Sequence, residues 1–165
     1  MMSLTILVKA AFAGIASIGF AVLFNVPKRV LLSIFSIAFV SGIVKFIVLE
    51  NNLSLIWSSL ASGVCVGTLS VPFARLKFAP PLVIAIPSVI PMVPGTYIYR
   101  SIIGLISIAT TNGPVSSELV TETIHNGMFS LFILAAISIG AGIPTIITRR
   151  QIMTAIEKED SKSAR

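Results

Sequence analysis

The chain has 165 residues, of which 55% are hydrophobic and only 11% are charged, whereas a soluble domain carries roughly 25% charged residues. Too few polar residues remain to cover a soluble protein of this size. A net charge of +6 would favour nucleic acid as a partner of a soluble protein, but the basic residues lie mostly between and after apolar runs, as membrane topology requires. We therefore predict an all-α integral membrane protein that lies in the lipid bilayer and binds no nucleic acid.

Apolar runs near twenty residues long, the length of helix that crosses a bilayer, predict about five membrane segments. The first is expected to be a retained span rather than a secretory signal, because no clear cleavage site precedes polar sequence. The predicted spans, in chain order, are 4–24, 30–49, 53–73, a broken segment 79–109, and 123–148. Residues 1–149 then form a transmembrane domain, and residues 150–165 form a cytoplasmic tail.

The charges between the spans predict how the chain is oriented. Basic residues occupy the turns at 28–29 and 75–77 and the tail at 149–150, whereas the turn at Glu50 and the loop 110–121 have none. Loops that carry Lys and Arg favour the cytoplasmic side. Basic and non-basic loops alternate between the two sides of the membrane only if the fourth segment crosses the membrane once overall. We therefore expect the N-terminus outside and the C-terminus in the cytoplasm.

The fourth segment, residues 79–109, holds five of the nine prolines. As one straight helix it would be about 45 Å long, which is too long for a hydrocarbon core of about 30 Å. It is also too short for two complete spans with a loop. We predict one broken span, with the break at Pro94-Gly95.

The prolines also predict unpaired backbone groups inside the membrane. Each proline lacks an N–H and clashes with the carbonyl four residues back. Pro87, Pro91 and Pro94 are spaced i, i+4, i+7 and should free carbonyls along one side. The carbonyls concerned belong to Val83, Pro87 and Ile90. In hydrocarbon such groups are tolerated only where protein or a watery cavity satisfies them.

The break predicts a binding site for a small carboxylate-bearing solute. Gly95 should permit the turn, Thr96 should cap a new half-helix, and the positive end of that half-helix could hold a carboxylate. The freed carbonyls would suit an ammonium group. The predicted site comprises Pro87, Pro91, Pro94, Gly95, Thr96, Tyr97 and Arg100. The alternative is a merely kinked helix, and Arg100 could instead reach an interface or pair with another subunit.

Other ionisable residues give weaker signals. Lys45 near the outer end of the second span favours snorkelling over a role in holding an anion, and Lys9 is weaker still. All six acidic residues lie in loops, at span ends or in the tail. The predicted spans therefore lack the titratable acidic group that proton-driven transporters usually need within the membrane. Glu118, Glu122 and His125 share one face of the last helix. They form either a proton relay or the solvated start of that helix.

Small residues predict close helix packing. Gly63 and Gly67 form a GxxxG pattern, which packs helices within a chain or between chains, and we expect a partner subunit to use this face. Cys65 is alone, so it forms no internal disulfide, and a single histidine cannot make a zinc site. We predict no metal, no cofactor and no enzyme activity.

Four sequence elements resemble the threonine/serine exporter family, over about residues 10–147. They are Phe24–Pro27, Gly63–Gly67, Pro91–Gly95 and Ser138–Pro144, of which the Pro-rich stretch ending in Pro-Gly is the most specific. The resemblance is to the small, split subunit of the YjjB type. It implies a bacterial inner-membrane protein that works with a larger YjjP-type partner, which has a cytoplasmic N-terminal domain and five spans.

The resemblance further implies export driven by the proton motive force. The solutes expected from it are threonine and serine, or succinate for some split members. Arg100 stands where some split members have no basic residue, which leaves the choice between amino acids and dicarboxylates open. A non-transporting membrane scaffold or assembly subunit is the alternative function, but a scaffold has no need of a broken segment that carries an arginine.

The predicted orientation has a direct test by cysteine labelling. Single cysteines introduced at Asn51 and Asn112 should react with a membrane-impermeant reagent added outside, because both lie in loops without basic residues. One introduced at Lys77 should not react. Labelling at Lys77 from outside would contradict the five-crossing topology.

Overall fold

The protein is seen in a computed structural model that describes the backbone of residues 2–111 and 113–163 and the side chains of residues 4–111 and 113–147. The described backbone is helical and contains no strand. Its six α-helices are α1 Met2–Leu23, α2 Leu31–Glu50, α3 Leu55–Lys77, α4 Pro81–Val89, α5 Gly95–Thr110 and α6 Ser117–Ser163. Short 3₁₀ turns precede α2 and follow α4, at Lys28–Val30 and Ile90–Met92.

Five segments of this bundle have the length and composition of membrane spans. Four are single helices, over Leu4–Leu23, Lys28–Glu50, Leu55–Lys77 and Ser117–Ile147. The fifth is a bent pair, in which Pro81–Met92 and Gly95–Thr110 meet at an angle of 64°. This confirms the predicted all-α membrane fold with its fourth span broken.

The last helix extends beyond the predicted span. Its backbone continues without interruption to Ser163, so the residues predicted as a tail prolong the helix. Arg149 and Arg150, which support the predicted orientation, lie outside the described side chains, as does Asn112. The placement of the tail in the cytoplasm stays a prediction.

The relative direction of α3 and α6 shows how the broken segment crosses the bundle. A Cβ built on Gly63 would lie 2.8 Å from the Ile137 carbonyl oxygen, and one on Gly67 would lie 2.6 Å from that of Ala141. Further along, the last turn of α3 lines a groove together with Ile147. Residue numbers therefore rise together along both helices, which run parallel. A re-entrant loop would have made them antiparallel, so α4 and α5 together make one net crossing.

The glycine pattern in α3 packs this helix on α6 within the chain. On the facing side, a Cβ on Gly140 would lie 2.6 Å from the Leu60 carbonyl oxygen. Backbone atoms cannot move aside as a side chain can, so these glycines are what lets the two helices approach. Our expectation that a partner subunit docks on Gly63 and Gly67 is wrong, because both are buried under α6.

The interior of the bundle is narrow and partly polar. Its largest fully buried apolar side chains include Ile34 on α2, Val66 on α3, Ile84 on α4 and Ile133 on α6. Several buried serines lie among them, and Ser41 is typical in donating its hydroxyl to the preceding turn of its own helix, 2.7 Å from the Ile37 carbonyl oxygen. Large apolar side chains are exposed on the outside of the helices, as expected of a surface that meets lipid.

Candidate functional site at the broken span

The break between α4 and α5 is a compact backbone turn. The 3₁₀ turn closes when the Val93 N–H donates to the Ile90 carbonyl at 3.1 Å. Pro94 has φ −79° and ψ 63°, and the Gly95 N–H donates across it to the Val93 carbonyl at 2.9 Å. This is an inverse γ-turn. The chain therefore changes direction at Val93-Pro94, one residue before the predicted position.

The break leaves the Met92 carbonyl, which was not among those predicted, outside the helical ladder. Pro87 lies inside α4, which continues through it to Val89. The Ile90 carbonyl is satisfied by Val93, because a 3₁₀ bond replaces the helical bond that Pro94 cannot make. The Met92 carbonyl instead points out of the helical ladder. It accepts a hydrogen bond of 2.8 Å from the Lys45 ammonium on α2.

The start of α5 offers fewer backbone donors than expected. Pro94, not Thr96, is the N-cap, and no side chain caps the helix. The Tyr97 N–H donates to the Pro94 carbonyl at 3.1 Å and the Gly95 N–H is used in the γ-turn. Among the first three residues of α5, the described part of the chain leaves only the Thr96 N–H without a partner. The predicted half-helix therefore forms, and among these residues it presents the N–H of Thr96 alone.

Gly95 is not needed for the turn itself. No glycine in the described chain has a positive φ, and a Cβ on Gly95 would meet nothing within 4 Å. Any requirement for glycine here would have to come from a molecule that approaches from outside the chain.

Lys45 reaches into the bundle and not toward the nearer end of its helix. Side chains on an α-helix tilt toward its N-terminus, which for α2 is the end at Leu31 and not the end at Glu50. The ammonium follows this direction to the carbonyl of Met92. Snorkelling to the nearer interface, which the sequence favoured, is wrong for this lysine. The bond uses one of its three donor hydrogens.

A second cation lies at the same level. The Lys9 ammonium on α1 is 5.6 Å from the ring centroid of Phe46, the neighbour of Lys45 on α2, and α1 also contacts the Ile90–Met92 turn. Among the described side chains the only carboxylates are Glu50, Glu118 and Glu122, which are exposed at helix ends. Neither Lys45 nor Lys9 therefore has a carboxylate partner in the described chain, a costly state for a charge within a membrane unless an anion or water reaches it.

Tyr97 and Arg100 diverge after the break. The Tyr97 ring meets Phe129 of α6 edge-on, with centroids 5.0 Å apart, and His125 stacks on the same Phe129 at 5.9 Å. Arg100 is exposed and has no partner among the described residues. The structure thus brings Pro91, Pro94, Gly95 and Thr96 together at the break, and directs Tyr97 toward α6 and Arg100 away from the bundle.

The predicted proton relay shows no internal connection. Glu118, Glu122 and His125 are all exposed near the start of α6, and no hydrogen bond joins their side chains within the described chain. Their role in proton transfer stays a prediction.

The Phe24–Pro27 turn packs beside the broken span. Asn25 has φ 54°, a left-handed conformation that asparagine tolerates better than most residues. Together with residues of α4 between Leu82 and Pro87, the turn lines a cavity of about 450 Å³.

Comparison with known proteins identifies the family of the chain. A family described as "Threonine/Serine exporter, ThrE" matches residues 9–147, which is nearly the whole membrane bundle. The chain belongs to the threonine/serine exporter family.

One relative shows how the length of this exporter-family chain compares with that of a longer protein. An uncharacterized protein of Haemophilus influenzae is 28% identical over 148 residues, which are 90% of this chain but 49% of the relative. The chain thus spans about half the length of this curated relative. No solved structure matches it.

The bend in this exporter-family chain is predicted to depend on its prolines. Replacing Pro91 and Pro94 by alanine restores two N–H donors, so α4 and α5 should merge into a straighter helix. Spin labels at the exposed positions Leu82 and Ile106, in a Cys65→Ser background, should then move from about 30 Å to about 36 Å apart, from a rise of 1.5 Å per residue and the bend of 64°.

The matched control is Pro72→Ala, since Pro72 lies inside the continuous helix α3. That change should leave the distance between the labels unaltered. An unchanged distance in the double alanine variant would contradict the prediction and show that packing against α1 and α2 alone imposes the bend.

Proposed function

We propose that this chain is the small membrane subunit of a two-component secondary exporter, and that its solute binds at the break in the fourth span. The observation that carries the proposal is the hydrogen bond between the Lys45 ammonium and the Met92 carbonyl. In an exporter-family chain, this bond joins a cation to a backbone carbonyl that its own helix does not satisfy, within a membrane span.

The proposed solute carries a carboxylate. Lys45 has further donor hydrogens, and a bond between an ammonium and a carboxylate is stronger than one to a neutral carbonyl. The Thr96 N–H, at the positive end of α5, is a second donor beside the break. A carboxylate arriving there would therefore displace the Met92 carbonyl from Lys45.

The same exchange favours an amino acid such as threonine or serine. Once Lys45 binds the solute, the Met92 carbonyl loses its donor, and an unsatisfied carbonyl in hydrocarbon costs several kcal/mol. The ammonium of an amino acid would supply a new donor. The carboxylate of an α-amino acid would therefore replace the acceptor of Lys45, while its ammonium would replace the donor to the Met92 carbonyl.

A dicarboxylate such as succinate is the second candidate. The observation that favours it is a second cation, the Lys9 ammonium, which lies over the ring of Phe46, the residue that follows Lys45. A dicarboxylate could bridge the two ammonium groups. It would leave the Met92 carbonyl unpaired, which is why we place it second.

The proposal includes a second membrane subunit and coupling to the proton motive force. The chain spans 49% of its Haemophilus relative, and its described spans hold no carboxylate away from their ends. We infer that the coupling group belongs to the larger subunit. We also propose a bacterial inner-membrane location, with the N-terminus outside and the C-terminus in the cytoplasm. A single net crossing by α4 and α5 supports termini on opposite sides.

Substitution of Lys45 tests this function. Lys45→Gln keeps a hydrogen-bond donor for Met92 but removes the charge, and a hydrogen bond to a charged group contributes about 1.5–3 kcal/mol. Efflux of labelled threonine or serine, measured in cells that also contain the wild-type partner, should therefore fall roughly tenfold or more. Lys45→Arg should keep part of the activity.

Lys77→Gln is the control, because Lys77 is an exposed lysine at the end of α3, and it should export as the wild type does. Wild-type efflux by Lys45→Gln at equal membrane levels would refute the proposed site and favour the scaffold alternative. A loss confined to succinate efflux would favour the dicarboxylate.

A further inference from the structure

A groove opens at one end of the bundle, where the space between α3 and α6 widens. The close contact of the two helices ends at Gly67, on which a Cβ would lie 2.6 Å from the Ala141 carbonyl oxygen. Beyond this point a cavity of about 970 Å³ lies between the two helices and the turn that joins α3 to α4. We call it the Arg75 groove, and its walls include Val71, Arg75, residues 78–82, Gly142 and Ile146.

Arg75 gives this apolar groove its charge. It is the only charged residue among the described walls, which are otherwise mostly aliphatic side chains, prolines and glycine. Arg75 also lines a second groove, of about 830 Å³, which shares Val71 with the first and extends to Ile147. One guanidinium therefore borders two apolar grooves, and it forms no ion pair within the described part of the chain.

Arg29 brings a second guanidinium to the same place. One of its terminal nitrogens donates to the Phe78 carbonyl oxygen at 3.0 Å, and Phe78 is a wall residue of the Arg75 groove. This bond uses one of the five N–H donors of a guanidinium. The remaining donors are available to a ligand at the edge of the groove.

The described carboxylates lie at the opposite end of the bundle. Glu50 ends α2, whose first turn adjoins Arg29, so about 30 Å of helix separates the two residues. Glu118 and Glu122 lie at the start of α6, which runs parallel to α3 and therefore begins far from Arg75. Within the described residues, the positive charge of Arg29 and Arg75 is thus unopposed.

We propose that the Arg75 groove binds an anionic phospholipid, with the phosphate on Arg75 and Arg29 and an acyl chain along Val71 and Ile146. Guanidinium groups bind phosphate through paired hydrogen bonds, and basic pockets between membrane helices bind anionic headgroups in this way. The second groove beside Arg75 is placed for the second acyl chain.

The combination of charge and apolar depth selects a lipid over other occupants. A free phosphate would leave the apolar walls empty, whereas an apolar partner helix would leave both arginines without an anion. The predicted orientation places this end in the cytoplasm, the side on which anionic lipids attract basic residues. The inference goes beyond the proposed function and holds for whichever solute is carried.

Gly142 keeps the groove open. A Cβ built on it would meet nothing within 4 Å, so the packing of the described chain does not require glycine at this wall, unlike at Gly67. A larger side chain at this position would instead take the space of the acyl chain.

Photolabelling with lipid probes tests the occupant. The full chain, in phosphatidylcholine vesicles with a small fraction of phosphatidylglycerol that carries a diazirine on an acyl chain, should be labelled in the peptides that hold Val71 and Ile146. Phosphatidylcholine with the same diazirine should label these peptides roughly fivefold less, the factor expected for one arginine near an anionic lipid. Equal labelling by both probes would overturn the proposal. So would a loss of labelling by the anionic probe in native host membranes, because a protein would then cover the groove.

Charge variants at this end test the role of Arg75. Arg75→Gln should lower labelling by the anionic probe roughly fivefold, while Arg75→Lys should retain part of it. The control is Lys77→Gln, because Lys77 is exposed two residues further along and lines neither groove. An equal fall in Lys77→Gln would show that the general charge of this end attracts the lipid, which would contradict a site at Arg75.

A second pair of variants tests the groove without touching its charge. Gly142→Leu should abolish most labelling by the anionic probe, because the side chain fills the groove. The control is Gly19→Leu on α1, where a Cβ would also meet nothing within 4 Å, and it should label as the wild type does. An unchanged thermal midpoint of Gly142→Leu shows that the chain still folds. Full labelling of Gly142→Leu, or displacement of the probe by glycerol phosphate, which has no acyl chain, would contradict the lipid site.

Discussion

The structure depends on one constraint, that a backbone carbonyl inside a membrane must find a donor. Prolines and a γ-turn end α4 in the middle of a span, and Met92 is left with a carbonyl that the helix does not satisfy. Lys45 supplies the donor at 2.8 Å. The bond holds a charged side chain inside the bundle. In the function we propose it is also the binding site, because a solute with a carboxylate and an ammonium can replace both partners.

Much of the fold could be predicted from the sequence because membrane spans follow from length and hydrophobicity alone. The single net crossing of the fourth segment also followed from the loop charges, and the parallel run of α3 and α6 agrees with it. The use of Gly63 and Gly67 could not be assigned, since GxxxG spacing permits packing within a chain as well as between chains. Only the position of Ala141 against Gly67 decides this.

The site was harder to predict, because proline spacing reveals which N–H groups are missing but not how the chain replaces them. The Ile90 carbonyl was expected to be free, yet a 3₁₀ bond satisfies it. Thr96 was expected to cap α5, yet Pro94 occupies that position. Lys45 was undervalued because only its distance from the span end was weighed. Side chains on a helix tilt toward its N-terminus, and this tilt could have shown the direction of Lys45.

The most direct test of the account is whether the solute occupies the break. In membrane vesicles that contain the chain and the proposed larger subunit, the rate of maleimide alkylation of a Thr96→Cys variant, in a Cys65→Ser background, would be measured with and without threonine or serine. A Thr110→Cys variant at the far end of the same helix is the control. The account predicts that the amino acid slows alkylation of Thr96→Cys in a concentration-dependent way and leaves Thr110→Cys unaffected. Equal alkylation of Thr96→Cys with and without a saturating solute would contradict it.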